Sequence, residues 1–152
     1  MTAAPAILSA SDIAKAVTSR KLSALQATED ALARIARHDG ILNSFTDVTA
    51  ERARAKARVI DAAIAAGKNV GPLAGVPFAV KNLFDVKGVV TRAGSKINRD
   101  LAPAKRDATL IERMEAAGAV LVGALNMGEY AYDFTGENVH DGPRAIRTIR
   151  RG

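Results

Sequence analysis

A chain of 152 residues with 48% hydrophobic content is the size of one ordinary domain and has enough apolar material for a core, which excludes wholesale disorder. It contains no cysteine, so disulfides, thiolate catalysis and cysteine zinc sites are excluded, and a reducing, cytoplasmic location is expected. The net charge of +6 is carried mostly by Arg144, Arg147, Arg150 and Arg151: without them 18 basic residues face 16 acidic ones, and with only 4% aromatic residues to stack on bases no nucleic-acid partner is expected.

No run approaches the roughly 20 apolar residues of a membrane span. The opening Met-Thr-Ala-Ala-Pro-Ala-Ile-Leu lacks the basic start of a signal peptide.

Ser9 opens a predicted helix, because its hydroxyl can accept from the free amides of the first turn while Asp12 favours the positive end of the dipole. Ile13, Ala14 and Val17 form its apolar stripe. Ser23 with Gln26 repeats the capping logic for a second helix, in which Thr28, Ala31, Leu32 and Ile35 continue at helical spacing to about Arg37. His38 and Asp39 then precede a turn at Gly40, with His38 read as a partner of the helix dipole rather than a ligand. Residues 44–49 alternate like a half-buried strand. A third helix is expected from about Ala50 to Ala66, with Ala53, Ala57, Ile60 and Ile64 on one face and Gly67 ending it. Its Arg52, Arg54, Lys56 and Arg58, mixed with Glu51 and Asp61, read as a solvated face.

Residues 71–88, Gly-Pro-Leu-Ala-Gly-Val-Pro-Phe-Ala-Val-Lys-Asn-Leu-Phe-Asp-Val-Lys-Gly, predict a short buried strand built on Val76, Phe78 and Val80, with Lys81 where the chain leaves the sheet. A lysine drawn into low dielectric there would have its pKa lowered from about 10.4 toward neutrality and could accept a proton. A lysine whose stem lies on the sheet and whose head reaches water would not. Position alone leaves both open.

Residues 86–100 predict a loop. Asp107 is expected to cap a helix through Ala117, with Leu110, Met114 and Ala117 inward and Gly118 ending it. Ala119 to Val122 then form a buried strand. A strand, a connection containing a helix and a second apolar strand make a parallel crossover, so the expected class is α/β: N-terminal helices plus part of a mixed or parallel sheet flanked by helices. Asn126 to Phe134 is expected to start as a short helix at the C-terminal edge of that strand. Its Met127, Tyr130, Tyr132 and Phe134 either line a pocket or fill the core.

No other chemistry is complete. There is no phosphate-binding Gly-Lys-Ser/Thr loop and no Gly-x-Gly-x-x-Gly. His38 and His140 alone cannot build a zinc site, and Ser95, without a histidine at helical or hairpin spacing, reads as a turn hydroxyl. No metal and no cofactor are expected.

The stretch around Lys81, followed by Thr91, Ala93-Gly94-Ser95, Asp107-Ala108, Ala117-Gly118-Ala119-Val120, Gly123, Asn126-Met127 and Glu129-Tyr130-Ala131, resembles the N-terminal portion of the amidase signature family. The wording is most similar to its biuret-type amidohydrolases and next to the A subunits of the glutamyl-tRNA amidotransferases. The resemblance covers residues 7–143 and implies that residues 1–143 are part of one such domain with an incomplete amidase-signature fold. It implies that Lys81 is the catalytic lysine and that Asn126 and Met127 contact substrate. Gly128 stands where most relatives carry an acid. The implied substrate is a small amide or urea-derived compound, and the implied partners are a small second subunit or further copies of the chain. In that family the lysine deprotonates a relay serine, which activates a nucleophilic serine. An acyl-enzyme forms, the amine leaves and water completes the cycle. Both serines lie in a Gly-Ser-rich segment that these 152 residues do not include, so the chain alone is expected to be inactive.

After Gly142-Pro143 the family continues Thr-Arg-Asn-Pro, whereas this chain has Arg144-Ala145-Ile146-Arg147-Thr148-Ile149-Arg150-Arg151-Gly152. Codons CGC GCA ATC CGC ACG ATC CGG CGC GG would encode that tail, and read one base out of phase behind a lost nucleotide they give Thr-Arg-Asn-Pro-His-Asp-Pro-Ala-Arg. The expectation is a truncated chain with a frameshifted basic tail over residues 144–152. Two other readings stand beside the hydrolase: a non-catalytic module that docks on an intact amidase through its sheet edges, and a small basic nucleic-acid binder resting on the tail. Sequencing the DNA around codon 143 tests the frameshift: a one-base change is expected to restore a Gly-Ser-rich segment downstream, and failure to find one rejects it.

Overall fold

In the computed structural model residues 8–132 and 137–142 are described. Helix α1 (Ala10–Thr18) starts as its capping residue predicts, Ser9 Oγ accepting from the Asp12 amide at 3.2 Å, and it buries Ala14 and Val17. Helix α2 (Ala24–Leu42) has two caps rather than one. Ser23 Oγ accepts from the Gln26 amide at 2.9 Å, and the Asp61 carboxylate accepts from the amides of Ala24 and Leu25 at 2.7 and 3.0 Å. Asp61, expected on a solvated face, thus neutralises the positive end of a neighbouring helix.

The turn expected at His38 to Gly40 is not there. Helix α2 runs on to Leu42 and ends at Asn43, whose left-handed φ of 50° and amide bond to the Asp39 carbonyl at 2.7 Å satisfy the last turn. A glycine inside a helix costs about 1 kcal/mol. The later asparagine cap and the Asp39 carboxylate, which accepts from the Ser44 amide at 2.7 Å, outweigh that cost.

Strand β1 (Phe45–Val48) and helix α3 (Ala50–Ala65) fall where the patterning places them, with Ala53, Ala57, Ile60 and Ile64 buried. The basic face of α3 is not simply solvated. Arg52 bonds the Asp107 carboxylate in two places, at 2.7 and 2.8 Å, and pairs with Glu115 at 3.2 Å. Arg54 bonds Glu29 and Glu51, each at 2.7 Å.

Strand β2 (Pro77–Lys81), helix α4 (Thr109–Ala116) and strand β3 (Val120–Leu125) complete a three-stranded mixed sheet of order β1-β3-β2. β3 runs antiparallel to β1 and parallel to β2, with Pro77 opposite Val120 and Lys81 opposite Leu125. The class is α/β as expected. β3 is longer than predicted because Gly123 admits β1: a Cβ there would lie 2.5 Å from the Asp47 carbonyl oxygen. β2 is not the buried strand predicted. It is an edge strand in which only Val80 is buried, and at such an edge the missing N–H of Pro77 breaks no ladder bond.

The sheet separates two apolar clusters. One joins α1, α2 and α3 to Val120 and Val122; the other joins Val80, Val86 and Leu121 to Ile111 of α4. Leu110, expected inward, is 44% exposed, and Ile111 takes its place at 0%. Ile111 is the residue of this helix that packs with Val80, Val86 and Leu121. Asp107 does not cap α4, which begins after Ala108 without a side-chain cap, because its carboxylate is committed to Arg52 and to the Lys87 amide at 2.8 Å. Among the described residues no helix is long and apolar enough to cross a membrane.

The bond from Arg52, then the Lys87 amide, holds the Asp107 carboxyl below the usual aspartate range and raises the Arg52 guanidinium in turn. A depressed carboxyl stabilises the fold above its unfolded pKa, about 3.9, and loses that contribution as pH falls through and below it. Asp107→Asn is expected to cost about 1.5–3 kcal/mol in urea unfolding near pH 7, the range for hydrogen bonds to charged groups. The gap from the parent should shrink below about pH 4.

Candidate active site

Ligands in open parallel sheets gather beyond the C-terminal ends of the strands, and here that edge is formed by Lys81 of β2 and Leu125 of β3. Lys81 sits at the exit of its strand as predicted, but its side chain is exposed rather than desolvated. The cause is the place of β2 at the sheet margin. Among the described residues its ammonium has no hydrogen bond or ion pair.

The next residue is fixed on all sides. Asn82 is 1% exposed. Its amide donates to the Leu125 carbonyl at 2.9 Å, and its own carbonyl accepts from Ala93 at 2.7 Å. Its carboxamide donates to Thr46 Oγ1 at 2.7 Å and to Asp47 at 3.3 Å, and accepts from the Arg92 amide at 2.8 Å. Arg92 closes the ring through an ion pair to Asp47 at 3.3 Å. One buried amide therefore joins the end of β2, strand β1 and the loop at residues 92–93, and it fixes the backbone from which Lys81 projects.

The helix expected from Asn126 is absent. Residues 129–131 make a single 3₁₀ turn in which Tyr130 has φ 49°. Contacts with the 92–98 loop displace the helical pattern: the Tyr130 amide donates to the Ala93 carbonyl at 2.8 Å, and Asn98 donates to the Tyr130 hydroxyl at 3.0 Å. The two segments touch because Gly94 has φ +68° and no side chain; a Cβ there would lie 2.6 Å from the Met127 carbonyl oxygen. Ser95 is more than a turn hydroxyl: it is buried, and its Oγ donates to Glu129 at 2.5 Å. His140 Nε2 lies 4.0 Å from the same carboxylate oxygen.

Asn138 staples these loops. Its Nδ2 donates to the carbonyls of Met127 at 2.6 Å and Gly94 at 2.8 Å, while its Oδ1 accepts from the amides of His140 and Asp141. Asn126 and Met127 are each 1% exposed. The Asn126 Nδ2 donates to the carbonyls of Asn43 at 3.1 Å and Gly142 at 3.3 Å, and its Oδ1 has no partner among the described residues. Tyr130 and Tyr132 are exposed, so of the three candidate pocket residues among the described ones Met127 alone is core; the fourth, Phe134, lies outside the described residues.

The family model for amidases matches residues 26–143, most of the chain. The chain belongs to the amidase signature family. It is 56% identical over 132 residues to the AtzE subunit of 1-carboxybiuret hydrolase from Pseudomonas sp. (strain ADP), covering 87% of this chain and 29% of that one. It is 49% identical over 122 residues to the A subunit of glutamyl-tRNA(Gln) amidotransferase from Anaeromyxobacter sp. (strain K), covering 80% and 25%. A solved structure described as a vestigial complex revealing the origins of an s-triazine catabolic enzyme superposes with a TM-score of 0.88 at 54% identity, covering 90% of this chain and 30% of that one. The chain thus spans less than a third of the length of these amidase relatives.

Reading the sequence alone misses Asn82, Glu129 and Asn138. Asn82 had a signal, a carboxamide next to the lysine that ends an apolar strand; for Asn138 only the turn bonds to the amides two and three residues on are local, and the carbonyls its Nδ2 meets lie 11 and 44 positions away. Asn82→Ala is expected to destabilise the chain by about 1–3 kcal/mol, the cost of leaving buried partners unpaired, in a urea titration. Hydrogen exchange at the Arg92 amide should accelerate by at least the same free energy.

Proposed function

We propose that this chain is the lysine-bearing part of an amidase signature hydrolase that cleaves carbon-nitrogen bonds in a small amide or urea-derived substrate. Residues 1–143 supply the N-terminal part of the domain. The supporting observation is the place of Lys81: it is the last residue of a strand in a parallel pair, at the edge where ligands collect, beside an asparagine held by five hydrogen bonds. In the relay, Lys81 accepts a proton from a serine carried by the complementary part of the domain, and that serine activates the nucleophile. Docking of that part also covers the Lys81 side chain.

Asn126 and Met127, taken from the resemblance as substrate contacts, act from the interior, where Asn126 ties Gly142 to the end of α2 through Asn43. The two relatives' names describe subunits, so the reading includes a small partner subunit or a second copy, in a cytoplasmic setting. The out-of-frame tail belongs to the same reading and lies outside the described residues.

The 152-residue chain alone is expected to release no ammonia from biuret or simple aliphatic amides. A full-length form, carrying the Gly-Ser-rich segment and the remainder of the domain, is expected to do so. Lys81→Ala in that form should lower kcat/KM by about 10²–10⁴, the usual contribution of a general base. An unchanged rate would remove Lys81 from the chemistry.

A further inference from the structure

Two Asp-Gly dipeptides occur in the chain, Asp39-Gly40 and Asp141-Gly142. In such a pair no side chain shields the glycine amide, and its nitrogen can reach the aspartate Cγ. A new N–Cγ bond closes a succinimide ring. One carboxylate oxygen departs as water, taking the amide proton and a second proton from solvent. Water then reopens the ring: addition at Cγ restores aspartate, and addition at the α-carbonyl leaves isoaspartate, in which the backbone runs through the β-carbon and is one methylene longer. Composition and oxidation state are unchanged, so no co-reactant beyond water is needed.

The fold treats the two pairs unequally. Asp39-Gly40 lies inside helix α2, where successive amides bond the carbonyl four residues back and the backbone is fixed. The Asp39 carboxylate is engaged as well, accepting from the amides of Ser44 and Phe45 at 2.7 and 3.2 Å. Asp141-Gly142 lies at a turn. Gly142 has a left-handed φ of 82°, and its amide makes no hydrogen bond among the described residues. What restrains the Asp141 carboxylate is Arg99, whose Nη2 donates to Oδ1 at 2.6 Å and to the His140 carbonyl at 2.9 Å. That pair reaches solvent, Arg99 being 38% exposed. Several contacts depend on the length of the backbone here. The Asp141 amide donates to Asn138 Oδ1 at 2.9 Å, the Asp141 carbonyl accepts from Asn43 Nδ2 at 2.7 Å, and the Gly142 carbonyl accepts from Asn126. An extra methylene cannot satisfy all three.

We propose that Asp141-Gly142 is a site of spontaneous aspartate isomerisation guarded by Arg99, and that conversion to isoaspartate unfastens residues 137–142 from Asn43 at the end of α2 and from Asn126. The proposal does not rest on the hydrolase reading. The 152-residue chain is aged for several weeks in neutral buffer at physiological temperature, digested, and mapped by electron-transfer mass spectrometry, which distinguishes isoaspartate from aspartate. Isoaspartate is expected at 141, and about tenfold less of it at 39, because the second reaction has to wait for the helix to open. Arg99→Ala should speed conversion at 141 by about two- to fivefold, the range for a partly exposed ion pair, and leave 39 unchanged. High salt, which screens the same pair without altering the chain, should act in the same direction. Residues 137–142 of the converted fraction should take up deuterium about tenfold faster than those of the fresh protein.

Absence of isoaspartate at 141 would overturn the proposal. So would equal amounts at 39 and 141, since an unfolded chain exposes both pairs alike and the fold would then play no part. Rates at 141 indifferent to both Arg99→Ala and salt would remove the guard, and unchanged deuterium uptake would remove the unfastening. If Arg99→Ala raises both positions together, the variant has unfolded, and the salt series on the parent chain decides the matter.

Discussion

The central strand β3 meets almost no solvent from Val120 to Ala124, and both apolar clusters are built against it. Its residues have to be apolar on both faces, and Gly123 has to lack a side chain so that β1 can approach. Fully burying a valine or leucine contributes about 1.5–3 kcal/mol, and this strand places Val120, Leu121 and Val122 in that state side by side. The position of Lys81 depends on it, because the parallel register with β3 decides that β2 ends level with Leu125.

What patterning reveals is decided by distance along the chain. The caps of α1 and α2, the buried stripe of α3 and the parallel pair are legible because each depends on residues three or four apart or on a continuous apolar run. Asp107 and Asp61 are misread for the opposite reason. Asp107 is expected as a local cap and Asp61 as part of a solvated face, and each is claimed by a partner far along the chain, Arg52 in one case and the start of α2 in the other. The end of α2 is misread because a local signal, Gly40, loses to another local signal three residues on.

The site divides in the same way. Lys81 is legible as a charge at the exit of an apolar strand, but its exposure is not, since burial of an edge strand depends on what lies beside it. Asn82, Glu129 and Asn138 form a second tier of contacts that holds residues 92–95, 126–132 and 137–142 in register with the sheet. Buried carboxamides suit that role because each offers two donors and two acceptor directions to backbone groups that would otherwise be orphaned.

The two sides of the sheet are unequally filled. Among the described residues the α4 side rests on four buried side chains, Val80, Val86, Ile111 and Leu121, while the opposite side has eleven. Subglobal opening should therefore start with α4 and the loop before it, leaving the three N-terminal helices packed on β3. Arg52 matters in this light as a cross-layer tether: anchored in α3 on the thick side, it grips Asp107 and Glu115 on the thin one, and it sets how much free energy the thin layer must spend to detach.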